Sequence, residues 1–353
     1  MRHKIQASFL LVCLLLTACS TNSLLGGTPS TSTNPSTGTT VMGSGAQQLQ
    51  LFVEPEAKTQ FLTDAIANAQ KSVWLEMYLL TTTRIIRALE EAAHRGIDVR
   101  VMLEPHPYTS SGYTPDKTLD ILKAAGVKAQ ASSPNFSLTH EKGMIIDGVT
   151  AYIMTSNFTN SALGGSTSGG VTYQNREFDI VDSDSQDVQA IIAIFNADWQ
   201  HGAAQFNAPN LVVSPTNSRT ILQALIANAH HTLVIDAEEM QDDAIEQALV
   251  AAVKRGVQVQ VILPAPQAGQ SDSNSNGIAA IKAGGVQVKE DSRLYMHAKM
   301  MVVDAQKAFV GSENISGASL DGNRELGVII ADTQVINTLQ QTFQQDWNDS
   351  QSV

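Results

Sequence analysis

An internal duplication constrains this 353-residue chain more than any other feature of its sequence. The segment Ile-Ala-Asn-Ala at 66–69 returns at 226–229, and Arg-Gly at 95–96 returns at 255–256. In both cases the second occurrence follows 160 positions after the first. Self-similarity at a fixed distance indicates one structural unit used more than once. The sequence therefore predicts one fold built twice from a single chain.

The distance between the copies shrinks further along the chain. His140 and His297 are 157 positions apart, whereas Arg176 and Arg324 are 148 apart. The first copy thus carries about nine extra residues, in the Gly/Ser-rich segment between 157 and 176. Insertions concentrate in surface loops, so we expect an added loop at this place.

Each copy alternates apolar strands with amphipathic helices. In the first copy we predict strands at 49–53, 73–79, 99–103, 127–131, 143–146, 151–155 and 178–181, and helices at 59–69, 84–95, 117–125 and up to Trp199. This alternation predicts an α/β class, with a pseudo-twofold duplication of an α/β/α sandwich. We place the two domains at 49–205 and 206–353, with the active site at their interface.

The first residues have the pattern of an export signal. Arg2 and Lys4 precede an apolar run at 9–16 that is too short to span a bilayer, and small residues lead into Cys19. This resembles the cleavage box of a bacterial lipoprotein, which implies a signal peptide at 1–18, lipidation of Cys19 and a place in the cell envelope, on the outer membrane facing the periplasm. An ordinary secretory signal or an uncleaved anchor is the alternative. Residues 19–48, rich in Ser, Thr, Gly and Pro, predict a flexible tether.

Charge and cysteine content exclude several classes of protein. The chain has 22 basic and 34 acidic residues, a net charge of −12, which argues against a general nucleic-acid coat. Two cysteines cannot support a disulfide scaffold or a thiolate metal cluster. A single apolar run also excludes a multi-span membrane protein.

The residues with chemical potential recur at matched places. The first copy carries His140, Lys142, Asp147 and Asn157, and the second carries His297, Lys299, Asp304 and Asn314. A histidine and a lysine one residue apart in a strand point to the same face. An imidazole, an ammonium and an amide that converge on one point suit a phosphate. Two such sets face to face would put histidines on opposite sides of one phosphorus, as in-line displacement requires.

The repeated pattern His-x-Lys-(four residues)-Asp, followed by Gly-Ser-x-Asn, resembles the phospholipase D superfamily. The resemblance covers roughly residues 49–347. It implies that one histidine becomes a phosphohistidine while the other protonates the leaving alcohol. The usual family order makes His140 the nucleophile and His297 the acid and base, with the reverse assignment as the alternative. The resemblance implies no metal, and we expect no cofactor.

The resemblance also implies roles for the other motif residues. Phosphate oxygens would be held by Lys142, Lys299, Asn157 and Asn314. Ser312 and its counterpart Thr155 would supply hydroxyls to the substrate, and Asp147 and Asp304 would support the structure. The first copy departs from the pattern at Met154, where glycine is usual.

A histidine nucleophile needs a carboxylate on its other ring nitrogen. Asn-Arg-Glu occurs at 175–177 and again at 323–325. In resembling enzymes the acid of one copy orients the histidine of the other, so we pair Glu325 with His140 and Glu177 with His297. The alternative is a surface Arg-Glu pair beside a strand. Glu141 has no acidic counterpart, and we treat it as local.

The activity expected first is hydrolysis of phospholipids by a phospholipase D-type phosphodiesterase. A phosphatidyl transferase of the cardiolipin synthase type would share every catalytic residue and differ in the acceptor. A periplasmic nuclease is a further alternative, although the acidic chain would repel nucleic acid. The intact duplicated sites argue against a silent binding protein. We expect a monomer, because one chain holds both half-sites, and a phospholipid as its partner.

Overall fold

The computed structural model describes residues 42–108, 112–168, 171–266 and 271–353. The predicted signal peptide, Cys19 and most of the predicted tether lie outside these residues. Within the described ranges, no helix combines the length and the apolar character needed to cross a bilayer.

The first half runs from the first strand to the long helix that ends at Trp199. Its strands are β1 (Gln50–Glu54), β2 (Ser72–Met77), β3 (Asp98–Leu103), β4 (Lys128–Ala131), β5 (Lys142–Ile146), β6 (Thr150–Met154), β7 (Ser166–Ser168), β8 (Val171–Tyr173) and β9 (Asn175–Asp182). Its helices are α1 (Gln60–Asn68), α2 (Thr83–His94), α3 (Pro115–Ala124) and α4 (Ser185–Trp199).

The second half repeats this order with small additions. Its strands are β10 (Leu211–Ser214), β11 (Thr232–Asp236), β12 (Met240–Gln241), β13 (Gln258–Pro264), β14 (Gln287–Asp291), β15 (Tyr295–Met296), β16 (Met300–Val303), β17 (Lys307–Gly311), β18 (Ile315–Ser316), β19 (Glu325–Ile330) and β20 (Gln351–Ser352). Its helices are α5 (Ser218–Ala227), α6 (Asp243–Lys254), α7 (Ser275–Ala283), α8 (Gly317–Asp321) and α9 (Thr333–Asp349).

The two large sheets have the same strand order, to which the second adds β20 at one edge. The first has the order β1-β9-β6-β5-β2-β3-β4, and the second has β10-β19-β17-β16-β11-β13-β14-β20. The strands β2, β3 and β4 are parallel to one another, as are β11, β13 and β14 in the second sheet. The pairs that involve β5, β6 and β9, and those of β16, β17 and β19, are antiparallel. The predicted α/β class and the duplicated halves are confirmed.

Three apolar clusters define the layers. One joins α1, α2 and α3 to the outer face of the first sheet, and a second joins α5, α6 and α7 to the outer face of the second. The third contains residues of both sheets together with α4 and α9. The inner faces of the two halves therefore share one core, and burial of this common apolar surface holds the halves together.

The repeated Arg-Gly pair closes the second helix of each half. Gly96 and Gly256 have φ values of 87° and 94°, a left-handed conformation that glycine adopts without steric cost. The preceding arginines donate from Nη2 to the carbonyls of Ile66 and Ile226, each at 2.9 Å. These carbonyls lie in the last turns of α1 and α5, where helices leave acceptors unsatisfied.

Two segments that we expected to be irregular carry ordered contacts. The Gly/Ser-rich insertion contains the antiparallel pair of strands β7 and β8. Residues 43–46, which we assigned to the tether, lie against the second half: Ala46 is 3% exposed and donates to the carbonyl of Ile329. β10 pairs with β19 over residues 325–328. The carbonyl of Ile329, just after these residues, therefore takes its hydrogen bond from Ala46.

Candidate active site

Both histidines line one cavity between the two halves. His140 lies two residues before the start of β5, and His297 lies between β15 and β16. The cavity has a volume of about 1460 Å³, and the two imidazoles belong to its lining together with Asn157 and Asn314. The fold therefore brings the four polar groups to a single space, although they come from distant parts of the chain.

Each histidine contacts a carboxylate from the opposite half. Nδ1 of His140 lies 3.0 Å from Oε2 of Glu325, and Nδ1 of His297 lies 2.8 Å from the carboxylate of Glu177. Both carboxylates are fully buried. These are the pairs that the resemblance implied. A carboxylate on Nδ1 leaves Nε2 as the reactive nitrogen and stabilises a positive or phosphorylated ring.

Backbone hydrogen bonds across the interface fix these pairs. The N–H of His140 donates to the carbonyl of Arg324 at 2.9 Å, next to Glu325 in the chain. In the other direction, β15 pairs in parallel with the start of β9, so that Met296 is opposite Arg176. The position of each histidine is therefore set by main-chain contacts with the segment that supplies its carboxylate.

The repeated arginines also act between halves. Arg176 donates from Nε and Nη2 to the carboxylate of Asp346, at 2.6 and 3.0 Å. Arg324 is paired in the same way with Asp198, at 2.7 Å. All four side chains are buried. The alternative of a surface Arg-Glu pair is thus wrong, because the arginine turns toward an aspartate of the other half.

Thr155 and Ser312, for which we predicted a contact with substrate, do not line the cavity. Both are fully buried. The hydroxyl of Thr155 donates to Glu177 at 2.6 Å and accepts from the N–H of Phe178. That of Ser312 accepts from the N–H of Leu326 at 3.0 Å. These hydroxyls hold the strands and one carboxylate in place behind the histidines.

The carboxylate of Glu325 is oriented by different residues. Oε1 accepts from the hydroxyl of Ser319 at 2.7 Å and from the amide of Asn323 at 3.2 Å. Asn175 supplies the equivalent amide to Glu177 at 2.9 Å. Asn175 and Asn323 are therefore the shared part of this support, and Ser319 on α8 replaces the hydroxyl of the first half.

The two lysines, Lys142 and Lys299, follow the histidines by two residues and are almost fully buried. Nζ of Lys142 donates to the carbonyl of His140 at 2.6 Å, and Nζ of Lys299 donates to the carbonyl of His297 at the same distance. An ammonium has three hydrogens, so each lysine keeps donors for an anion in the cavity. Burial lowers the pKa of Lys142 to about 7.

Asn157 and Asn314 present amides to the same space. The Oδ1 atoms of both side chains are buried without a hydrogen-bond partner among the described residues. Both asparagines stand seventeen positions after their histidine, at the return of a neighbouring antiparallel strand. This placement suits donation of the amide hydrogens to phosphate oxygens.

Asp147 and Asp304 lie at turns away from the cavity. Asp147 accepts hydrogen bonds from the backbone of Gln70, Lys71 and Ser72. Asp304 accepts from the equivalent amides of residues 230–232. Both have a left-handed φ, 57° and 51°, which aspartate tolerates better than most residues. The third members of the motif thus connect two strands of their own half.

Met154 and Gly311, where the copies differ, are explained by the packing around them. A Cβ atom on Gly311 would lie 2.3 Å from the carboxylate of Glu313 and 2.5 Å from Cα of Gly327. In the first copy Ser156 replaces that glutamate and donates to the buried Asp179 at 2.8 Å. In the second half the buried carboxylate of Glu313 lies so close to position 311 that only glycine fits there.

Glu238 is a site residue that the sequence analysis missed. Its Oε2 lies 2.8 Å from Nζ of Lys299, 3.4 Å from the amide of Asn314 and 3.5 Å from Nε2 of His297. Burial disfavours the charge of Glu238, but His297 and Lys299 outweigh this and hold its pKa well below the ordinary value. The first copy has Tyr78 at the equivalent position, 160 residues earlier, so comparison of the two copies gave no acidic pair to notice.

Electrostatics around the other histidine favour a neutral ring. Burial lowers the pKa of His140, against the opposing charge of Glu325. The pKa of Glu325 is itself lowered, because His140 and Lys142 outweigh the effect of burial. A neutral imidazole with an ionised partner is the form that can attack phosphorus.

Glu141 belongs to a buried acidic cluster rather than to a local contact. Glu76, Glu141 and Asp198 offer oxygens that all lie within 4.8 Å of one another, the spacing of a possible metal site. The sequence does not reveal this group, because its members lie far apart along the chain. Burial raises the pKa of Glu141 to about 8 and that of Glu76 well above the ordinary value. Arg324 compensates one charge of the cluster through Asp198.

A comparison with models of known protein families identifies the family of this chain. A family model described as the PLD-like domain of cardiolipin synthase matches residues 62–199 and 222–347, once in each half. The two matches together cover more than half of the chain. The protein therefore belongs to this family, within the phospholipase D superfamily.

Curated relatives carry the name cardiolipin synthase. The probable cardiolipin synthase YwiE of Bacillus subtilis is 24% identical over 339 residues, which cover 82% of this chain and 64% of that protein. The cardiolipin synthase of Oceanobacillus iheyensis is 23% identical over 336 residues, 84% and 68% of the two chains. Cardiolipin synthase B of Shigella flexneri is 26% identical over 332 residues, 83% and 78%. The chain thus spans about two thirds of the length of the first two relatives.

Solved structures share the fold. Phosphatidylserine synthase from Haemophilus influenzae matches with a TM-score of 0.64 and 15% identity, over 88% of both chains. Polyphosphate kinase from Porphyromonas gingivalis matches with the same TM-score and 16% identity, over 84% of this chain and 46% of that one. At these identities the likeness concerns the fold alone.

Proposed function

We propose that the protein is a phosphatidyl transferase that joins two molecules of an anionic phospholipid, and its curated relatives, which are named cardiolipin synthases, support this proposal. The observation that carries the proposal is the pair of histidines, each on a carboxylate of the other half, in one cavity. The relatives favour transfer, which we expected second, over the hydrolysis that we expected first.

The proposed reaction has two displacements at one phosphorus. Nε2 of His140 attacks the phosphorus of the donor lipid, and His297 gives a proton to the leaving glycerol oxygen. The phosphatidyl group is then bound to His140 through an N–P bond. A hydroxyl of a second lipid loses its proton to His297 and attacks, and the N–P bond breaks. With phosphatidylglycerol as donor and acceptor, the products are cardiolipin and glycerol.

The charge of the cavity supports a lipid over a nucleic acid. Glu238, Glu239 and Asp291 line it, and among the described lining residues Arg293 is the single lysine or arginine, whereas Lys142 and Lys299 are buried next to the histidines. Arg293 is already paired with Asp349 at 2.7 Å. A nucleic acid needs a track of cations for its successive phosphates, whereas a lipid presents only one or two phosphates to the site.

The test uses purified protein with phosphatidylglycerol vesicles and a chelator. We expect cardiolipin and free glycerol in equal amounts, measured by mass spectrometry with a deuterated headgroup. Phosphatidic acid as the main product would replace transfer with hydrolysis, and nicking of plasmid DNA without lipid turnover would indicate a nuclease. His140→Ala and His297→Ala should each lower turnover by several orders of magnitude. A loss of less than about tenfold contradicts their roles.

The same proposal includes a lipid anchor at Cys19 in the bacterial cell envelope. Two or more acyl chains give stable attachment to a membrane, which would keep the site near its substrate. Radioactive palmitate fed to cells should label the protein, and Cys19→Ser should abolish the label and release the protein from the membrane fraction. Labelling that persists in this variant would disprove the anchor.

A further inference from the structure

The two half-sites differ at a position close to the ends of β2 and β11. Tyr78 directly follows β2, and its counterpart Glu238 is the second residue after β11. The ring of Tyr78 packs edge-on against His140, with 4.7 Å between ring centroids, and Nζ of Lys142 lies 5.2 Å from its centroid. The first half therefore has an aromatic ring where the second half has a carboxylate.

This difference gives one of the two lysines a carboxylate partner that the other lysine lacks at the equivalent place. Lys299 already has a carboxylate partner in Glu238, at 2.8 Å. Lys142 has the face of Tyr78 at the equivalent place, so no carboxylate there takes up its hydrogen-bond donors. The phosphate oxygens of a substrate are thus drawn toward the first half, next to His140.

Glu238 is held firmly in this position. Its Oε1 accepts from the hydroxyl of Tyr295 at 3.1 Å, which leaves Oε2 toward Lys299 and the Nε2 face of His297. In an in-line reaction this nitrogen faces the oxygen that leaves and later the oxygen that enters, not the phosphate oxygens. Glu238 therefore lies beside the leaving and entering groups.

We propose that Glu238 binds the acceptor of the second displacement by accepting a hydrogen bond from an O–H group beside the attacking hydroxyl. This inference rests on the proposed function and assigns an acceptor class to it. Compounds with two O–H groups on adjacent carbons fit this description, and a vicinal diol such as a glycerol headgroup is the acceptor class that we assign.

The step balances without a proton on Glu238. The attacking oxygen forms the new O–P bond while the N–P bond to His140 breaks. Its proton passes to Nε2 of His297, which lost its own proton to the leaving group in the first displacement. The second O–H group donates to Oε2 of Glu238, 3.5 Å from that nitrogen, and keeps its hydrogen.

The experiment measures how the phosphoenzyme chooses among small alcohols. The full protein is given a short-chain phosphatidyl ester of p-nitrophenol with 1-propanol, 1,2-propanediol or 1,3-propanediol, and products are counted by mass spectrometry. We expect the wild type to favour 1,2-propanediol over 1-propanol. Glu238→Ala should lower this ratio by about tenfold or more, since a hydrogen bond to a charged group is lost. 1,3-Propanediol, whose hydroxyls are not on adjacent carbons, should be favoured over 1-propanol only by the factor of about two that its two equivalent hydroxyls give.

Two further variants control the result. Glu238→Gln keeps the size of the side chain and an acceptor oxygen, so the ratio should fall by a smaller factor. Glu239→Ala removes the same charge from the neighbouring residue of the cavity and should leave the ratio as in the wild type. A ratio unchanged in Glu238→Ala overturns the inference alone, because p-nitrophenol release shows that the site works. If the wild type releases no p-nitrophenol, the proposed function fails and the inference with it.

Discussion

At the scale of single residues, the carboxylate on Nδ1 decides which nitrogen of each histidine is reactive. Replacement of Glu325 by glutamine keeps the shape and removes the charge that stabilises the ring of His140. We expect Glu325→Gln to lower kcat by about 10²–10⁴, with a small effect on KM, because the interaction matters most when the ring becomes positive. The p-nitrophenyl ester gives the rate. Glu91→Gln, an exposed change on α2, is the control and should have no effect.

Lys142 predicts an unusual pH dependence of the first displacement. Its pKa of about 7 means that the ammonium loses its proton as the pH rises through 7, and with it the attraction for phosphate. His140, whose pKa is lowered by burial, is already neutral in this range. We therefore expect kcat/KM to fall by about tenfold per pH unit above 7. A p-nitrophenyl donor is used because this leaving group needs no proton from His297.

Lys142→Arg provides the control for this dependence. A guanidinium stays charged throughout the accessible pH range, so the alkaline fall should move to higher pH even if the absolute rate is lower. If kcat/KM of the wild type and of Lys142→Arg falls over the same alkaline pH range, a group other than Lys142 causes the fall.

At the scale of secondary structure elements, the ion pairs between halves join strands to the long helices. Arg176 at the start of β9 is bound to Asp346 in α9, and both are buried. Arg176→Met leaves a buried aspartate without its partner and should lower the free energy of unfolding by about 3–5 kcal/mol. The double variant Arg176→Met, Asp346→Leu should recover most of this loss. Denaturant unfolding gives both values, and an equal loss in single and double variants would contradict the coupling.

Most elements could be predicted from the sequence because their signals are local. The helix predicted at 84–95 is α2 (Thr83–His94), and the strand predicted at 99–103 is β3 (Asp98–Leu103). Apolar periodicity, and the Arg-Gly pair that follows the helix, can be recognised from residues close together in the chain. The insertion was located by the change of offset, yet its hairpin has few apolar residues, so no periodicity marked β7 and β8 as strands.

The parts of the site that escaped prediction depend on distant segments. Thr155 lies in a motif, but only the packed structure reveals that its hydroxyl turns to Glu177. Glu238 differs from its counterpart Tyr78, so a search for what the two copies share passes over it. The acidic cluster around Glu141 needs residues from β2, from α4 and from the segment directly before β5. Resemblance supplied the histidine pairs, whereas asymmetry between the copies could be understood only in the assembled fold.

At the scale of the whole molecule, the shared core contains charge that makes stability depend on pH. Glu141 keeps its proton in the folded state up to about pH 8, because it is buried near Asp198, although Arg324 acts in the opposite direction. In the unfolded chain it loses the proton near its ordinary value of 4.5. Between these values folding takes up a proton, so the contribution of Glu141 to stability falls as the pH rises from 4.5 to 8 and is constant above 8.

Glu141→Gln should remove this contribution, since an amide does not titrate. We expect the variant to gain stability relative to the wild type between pH 5 and pH 8, on the order of 3 kcal/mol, because each pKa unit corresponds to about 1.4 kcal/mol. Denaturant unfolding of both proteins at pH 5, 6.5, 8 and 9 gives the difference, and other titrating groups cancel in the comparison. The exposed change Glu91→Gln should give a difference that does not vary with pH. A Glu141→Gln difference that is equally flat would mean that Glu141 is ionised in the folded protein, with Arg324 or a bound cation compensating the charges of the acidic cluster.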